Sequence, residues 1–298
     1  VAFSGALLIA ASLIEADQLI TAGRETKPTT IALIVASFIL MRAVQSYSLK
    51  TSLAITQEKI STFGALDLIG TKGLFNLGIS GAGILAQGAR ARTEYAIQYR
   101  NFAGAALAEN LNMVFTLGLL LVGIALIGAI DPWREIAIVF GLSAALSPLL
   151  LIGLWRLRPK VIRNHISHIE ARLSPLPDKK TLALKLATLT SLQTGFIFTR
   201  AARFGLIVFT LDETISFAQI ITVTAVSDFT TLIPLTPGGL GIRELTIGAS
   251  ASSFGSGDVL LIAAIIDRFV SVVLNTTHGA LTIIAKGVSK HLHDRTPP

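Results

Sequence analysis

Uncharged stretches long enough to cross a bilayer alternate along this chain with short, mostly basic polar segments. Leu111 to Ile130 and Ile136 to Trp155 each hold 20 residues without a formal charge, and about 20 residues of helix cross a hydrocarbon core about 30 Å thick. They predict two transmembrane helices joined by the turn Asp131-Pro132-Trp133-Arg134-Glu135. Thr30 to Leu49, Leu182 to Leu211, Ile215 to Ile233 and Val259 to Ala285 predict further spans, each interrupted by a polar or ionisable group that must face protein, water or an interface. Val1 to Ile14, 14 uncharged residues with no basic segment before them, reads as the tail of a first helix rather than a cleavable signal peptide. The expected architecture is all-α: a polytopic integral membrane protein of seven or eight spans, forming a single domain over residues 1–298.

Composition supports that reading. Of 298 residues 52% are hydrophobic and only 14% charged, with a mean hydropathy of +0.68, whereas soluble domains carry about 25% charged residues. The absence of cysteine excludes a disulfide framework, a CxxC redox site and a Cys-ligated zinc. A net charge of +7 raises the question of nucleic acid, but the charges sit in short segments between apolar runs rather than on one face. No nucleic-acid partner is expected.

The placement of the charges sets an orientation. Arg156 to Lys180 carries seven Lys/Arg against Glu170 and Asp178, while the turns at Asp131 to Glu135 and at Asp212-Glu213 are net acidic. By the positive-inside rule the long loop, 156–180, is cytoplasmic, as is the C-terminal tail with Lys286, Lys290 and Arg295. Lys50 and Lys59 flank one end of the Phe63 to Gly88 segment and Arg90 and Arg92 the other, so both ends fall on the inside. That segment, rich in glycine, predicts a broken or re-entrant helix, with a full crossing as the alternative.

A second break is sharper. Pro234-Leu-Thr-Pro237-Gly238-Gly239-Leu-Gly241-Ile-Arg243-Glu244 places two prolines, three glycines and an ion pair in otherwise apolar sequence, and no continuous helix runs through it. The expected outcome is one helix ending near Ile233 and another starting near Gly239 to Glu244. A helix N-terminus there, with Arg243 beside it, suits an anion such as a lipid phosphate. Ile79 to Ile84 aligns with Leu235 to Leu240 at an offset of 156 residues, a possible inverted repeat of the kind that brackets a transport site. Gly81-Ala-Gly83-Ile-Leu-Ala86 formally matches a dinucleotide fingerprint, but without the strand and βαβ unit that motif requires; close helix packing explains it better.

The pattern Pro234-x-x-Pro-Gly-Gly-x-Gly-x-x-Glu244 resembles the signature of the lysylphosphatidylglycerol synthase transmembrane-region family, a flippase-like group of membrane proteins. The second span around Met41-Arg42 to Tyr47, the break from Asn76 to Gly88, the basic central loop and Arg268 in the last span extend the resemblance over nearly the whole chain. It implies an inner (plasma) membrane protein that translocates or handles phospholipids, aminoacylated ones included, or lipid-linked sugars. It singles out Pro234, Pro237, Gly238, Gly239, Gly241, Glu244 and Arg268 as functional positions. The first break has Ser80-Gly-Ala-Gly where the family commonly has Pro-Arg-x-Gly-Glu, and no soluble aminoacyl-transfer domain accompanies the spans.

Charges at membrane depth cost about 2.5–3.5 kcal/mol each unless partnered or hydrated, which makes Glu109, Asp228, Arg243, Glu244, Asp267 and Arg268 candidate binding residues, with Asn76, Gly81 and Gly83 at the first break. Arg243-Glu244 reads either as a structural tie or as part of a headgroup cavity. Arg268 is expected to pair with Asp228 or Glu244, Glu109 to couple protons or sit at the interface, and Arg200 and Arg203 to lie near a vestibule or the outer interface. His165, His168, His291 and His293 lack the geometry of a zinc set; neither a metal nor a cofactor is expected. The favoured function is translocation of an anionic phospholipid or lipid-linked substrate rather than catalysis. The alternatives are a membrane-embedded transferase on a lipid-linked substrate or a scaffold for a separate transferase, with a homo-oligomer or an associated transferase as possible partners.

Overall fold

The computed structural model describes residues 27–76, 81–127, 134–135, 137–139, 141–146, 177–211, 215–232, 243, 246–247 and 257–293. They are helical apart from turns and short connections, and no strand occurs among the described residues. The helices are α1 (Pro28–Ile55), α2 (Thr62–Phe75), α3 (Ala82–Tyr95), α4 (Tyr99–Leu126), α5 (Ala137–Leu146), α6 (Lys179–Phe209), α7 (Phe217–Leu232) and α8 (Gly257–His293). Three stretches, Pro28–Ile55, Tyr99–Leu126 and Val259–Ala285, are long and apolar enough to cross a membrane. The protein is an all-α membrane protein. The segment 1–26, the turn at 131–133, most of the basic loop, Asp212-Glu213, Pro234 to Ile242, Glu244 and the tail after His293 lie outside the described residues.

Local chemistry fixes where helices begin. Pro28 opens α1 at a position that needs no N–H donor. The Ser61 hydroxyl accepts from the Gly64 N–H at 3.0 Å to cap α2, and Asp178 accepts from the Thr181 N–H at 3.1 Å to cap α6. Outward-facing positions along the spans are apolar, as Ile31, Ile39, Leu126, Phe209 and Phe269 show by their exposure. In lipid that exposure is the stable arrangement.

α6 is the central pillar, packing against α1, α4, α7 and α8. Polar side chains tie it to α4: Asn112 donates to Gln193 Oε1 at 2.6 Å, Gln193 Nε2 donates to the Glu109 carbonyl at 2.8 Å, and the Thr190 hydroxyl donates to Asn112 Oδ1 at 3.1 Å. Such interhelical bonds are worth about 0.6 kcal/mol on average in membranes and up to about 1.7. Gln193→Leu is therefore expected to lower stability by about 1 kcal/mol, measured by thermal unfolding in detergent; an unchanged melting temperature would contradict the role given to this contact. α4 and α5 cross at glycines: a Cβ on Gly118 would lie 2.6 Å from the Gly141 carbonyl oxygen and 2.5 Å from the Ala145 nitrogen.

α2 and α3 form an antiparallel hairpin. Each has 14 residues, about 21 Å of helix, which is short of the roughly 30 Å hydrocarbon core. At the mouth, Arg90 pairs with Asp67 at 3.1 Å and donates to the Thr71 hydroxyl at 2.6 Å, while Tyr95 donates its hydroxyl to Asp67 Oδ2 at 2.8 Å. At the tip, Asn76 Oδ1 accepts from the Gly83 N–H at 2.9 Å, so the end of one helix caps the start of the other. The geometry is that of the dip-and-return expected from the flanking basic residues. The mouth lies beside the end of α1 and the starts of α4 and α6: Asn101 donates to Glu58 at 2.7 Å, and the Lys185 ammonium donates to the Ala54 carbonyl.

Candidate functional site

Five ionised side chains meet inside the bundle. Arg200 and Arg203 lie one turn apart on α6, Asp228 on α7, Asp267 on α8, and Arg243 between α7 and α8. Arg200 Nη1 is 2.6 Å from Asp228 Oδ1. Asp267 takes an arginine on each oxygen: Arg203 Nε donates to Oδ1 at 2.9 Å and Arg243 Nη2 to Oδ2 at 2.9 Å. Asp267 is fully buried and both of its arginines are 2% exposed. Charges with no access to water persist only when paired and hydrogen-bonded; Asp267 and its two arginines are paired in this way, while Arg203 Nη1 and Arg200 Nε are buried without a hydrogen-bond partner among the described residues.

A cavity of about 210 Å³ adjoins it, walled by Arg42 and Gln45 of α1, Ile69, Lys72 and Gly73 of α2, Asn76 at the hairpin tip, Glu109 of α4, and Arg268, Ser271, Val272 and Asn275 of α8. Arg42 stands 14 residues along α1, about 21 Å from its start and about 20 Å from its end, so the cavity lies near half depth. Among the described residues three cations and one carboxylate line it. The Arg42 guanidinium stacks over the Phe38 ring at 4.8 Å and donates to Gln45 Oε1 at 2.8 Å. Its Nε is buried with no hydrogen-bond partner among the described residues, as is Asn275 Oδ1. Glu109 accepts from the Ser48 hydroxyl at 3.2 Å. Ser271 joins the two sites, lining the cavity while its hydroxyl accepts from Arg203 Nη2 at 2.9 Å.

The sequence model of a family described as the lysylphosphatidylglycerol synthase TM region matches residues 1–279. The chain belongs to this family. A comparison with curated proteins finds no match.

Within this lysylphosphatidylglycerol synthase transmembrane region, the residues singled out from sequence fall into separate groups. Arg268, Glu109 and Asn76 line the cavity; Asp228, Asp267 and Arg243 belong to the ion cluster. Gly83 packs the hairpin tip, and Gly81, at φ +76°, opens α3 in the left-handed conformation with open space around it. Pro234, Pro237, Gly238, Gly239, Gly241 and Glu244 lie outside the described residues, as do His165 and His168.

Asp228 is engaged at 2.6 Å by Arg200, and Glu244, the other partner expected for Arg268, lies outside the described residues; successive residues on a helix point about 100° apart, so while Asp267 faces the ion cluster, Arg268 lines the cavity. One expectation is corrected. Arg200 and Arg203 do not mark an outer interface, because Arg203 is 2% exposed and both face carboxylates across the bundle. Arg243, bonded to Asp267, is not among the cavity's walls. Arg42, Lys72, Gln45, Ser271 and Asn275 were not selected from sequence as site residues. The available signal was a guanidinium in the middle of an apolar span, which is costly unless used.

Proposed function

We propose that this protein translocates or handles an anionic phospholipid or lipid-linked substrate, seating the headgroup in the half-depth cavity while the acyl chains remain in the bilayer. The carrying observation is the lining of that cavity, in which the described residues bring Arg42, Lys72 and Arg268 together with Glu109 close to the middle of α1. A headgroup phosphate is the group most penalised by hydrocarbon, and cations held at that depth lower its barrier. The basic residues at the mouth of the hairpin, Lys50, Lys59, Arg90, Arg92 and Arg100, support a cytoplasmic location in a cell (plasma) membrane for that side and for the end of α8.

Purified protein in liposomes is expected to move a fluorescent anionic phospholipid between leaflets, read as the fraction accessible to a membrane-impermeant quencher. Charge-assisted hydrogen bonds are worth about 1.5–3 kcal/mol, so Arg42→Gln is expected to slow the movement roughly tenfold to a hundredfold. If neither protein moves lipid, and incubation with lipid donors yields a new product by mass spectrometry, the membrane-embedded transferase replaces this reading.

A further inference from the structure

We propose that Ser271 of α8 is a hydrogen-bond donor to the phosphate of the headgroup, and that Arg203, inside the buried ion cluster, is the residue that positions it. This rests on the reading of the cavity as a headgroup site and names a contact on which that site's hold on phosphate depends.

Helix geometry puts Ser271 on the border of the two sites. At about 100° per residue, Ser271 lies roughly 40° around α8 from Asp267. Arg268, Ser271, Val272 and Asn275, the described α8 residues of the cavity wall, share an arc of about 100°. Arg203 reaches that border from the cluster side. Its Nη2 stands 2.8 Å from Asp267 Oδ1 and 2.9 Å from the Ser271 hydroxyl oxygen, so each of its two N–H bonds has an oxygen to point at. A guanidinium has no lone pair to offer. Ser271 is therefore the acceptor in this contact, and its own proton has to go elsewhere.

The cavity is where it can go. Hydroxyls in helices commonly donate back to a carbonyl three or four residues earlier, and on α8 Thr277 does so to Val273 at 2.9 Å and Thr282 to Gly279 at 2.8 Å. Ser271 donates to no such carbonyl, nor to any other acceptor among the described residues. Ser48, whose hydroxyl donates to Glu109 at 3.2 Å, has its proton engaged already. A hydroxyl that accepts from a guanidinium is polarised and becomes a stronger donor. The ion cluster thus acts on the cavity through Ser271 without exposing a buried arginine. An anionic phosphate oxygen is the acceptor that gains most from such a donor.

The test uses the full chain in maltoside micelles, with a fluorescent phosphatidylglycerol as reporter and unlabelled phosphatidylglycerol, diacylglycerol and inorganic phosphate as competitors. Ser271→Ala is expected to weaken phosphatidylglycerol binding roughly tenfold or more and to leave binding of diacylglycerol, which has no phosphate, unchanged. Ser271→Thr keeps the hydroxyl and should restore the preference. Arg203→Lys keeps the charge opposite Asp267 but loses the planar fork; it should weaken phosphatidylglycerol binding as Ser271→Ala does, and the double variant should weaken it no further. A purely structural hydrogen bond would lower the melting temperature and leave the preference between the two lipids as it was. Phosphatidylglycerol bound by Ser271→Ala with the parent's affinity, or equal losses for both lipids, overturns the inference, even if Arg203→Lys fails to fold. Losses that add in the double variant overturn the part given to Arg203. Inorganic phosphate competing as well as the lipid makes the ligand a free anion and overturns the assignment to a headgroup. If Arg42→Gln weakens phosphatidylglycerol binding while Ser271→Ala does not, the headgroup reading stands and only the inference falls. If the parent prefers phosphatidylglycerol no more than diacylglycerol, the headgroup reading falls and takes the inference with it.

Discussion

Replacing Asp267 by asparagine is expected to destabilise the protein by roughly 3–5 kcal/mol, the loss typical when one partner of a buried ion pair is removed. Asp267 is fully buried and holds Arg203 on one oxygen and Arg243 on the other. The substitution therefore leaves two guanidinium groups, each 2% exposed, without their shared counter-charge. The effect follows from uncompensated charge and not from lost volume, since asparagine is nearly isosteric with aspartate. The double variant Asp267→Asn with Arg203→Gln should recover a substantial part of the loss, giving a coupling energy in a double-mutant cycle. Thermal or denaturant unfolding in detergent measures both. A single variant within about 1 kcal/mol of the parent would mean that water reaches the cluster.

Gly83→Ala is expected to cost about 1–3 kcal/mol, the range for an oversized side chain in a packed site, and to abolish most lipid movement. A Cβ at residue 83 would fall well inside contact distance of the Lys72 carbonyl oxygen and of Asn76 Oδ1. The carbonyl belongs to the backbone of α2 and cannot turn aside, so the two arms of the hairpin must separate at the tip. That movement displaces Lys72 and Asn76, both of which wall the cavity, and breaks the bond from the Gly83 N–H to Asn76. Comparing unfolding with the liposome assay separates the two effects: transport should fall further than the stability change accounts for. Full transport by this variant would show that the hairpin tip does not shape the path.

Span positions and the hairpin were legible because they rest on local properties. Uninterrupted apolar length gave α4, apolar stretches broken only by Arg42 or by Asp267 and Arg268 gave α1 and α8, and basic residues on both sides of a glycine-rich segment gave a dip with two ends on one side. The walls of the cavity were less legible for a reason specific to lipid. In α1 the lipid-facing Ile31, Leu33 and Ile39 are as apolar as the protein-facing Ile34 and Phe38, so the helix has no polar face to show which way Arg42 points. Charge pairing was less legible for a different reason. Hydrophobic cost says that Asp228 needs a cation, but only the placement of α6 against α7 brings Arg200 to it.

The two arms of the hairpin are about 21 Å long against a hydrocarbon thickness of about 30 Å, so neither described arm is long enough to cross it alone. For the headgroup path proposed above, the cavity beside Asn76 would then be a halting place, with the cost of shedding water still to be met beyond it.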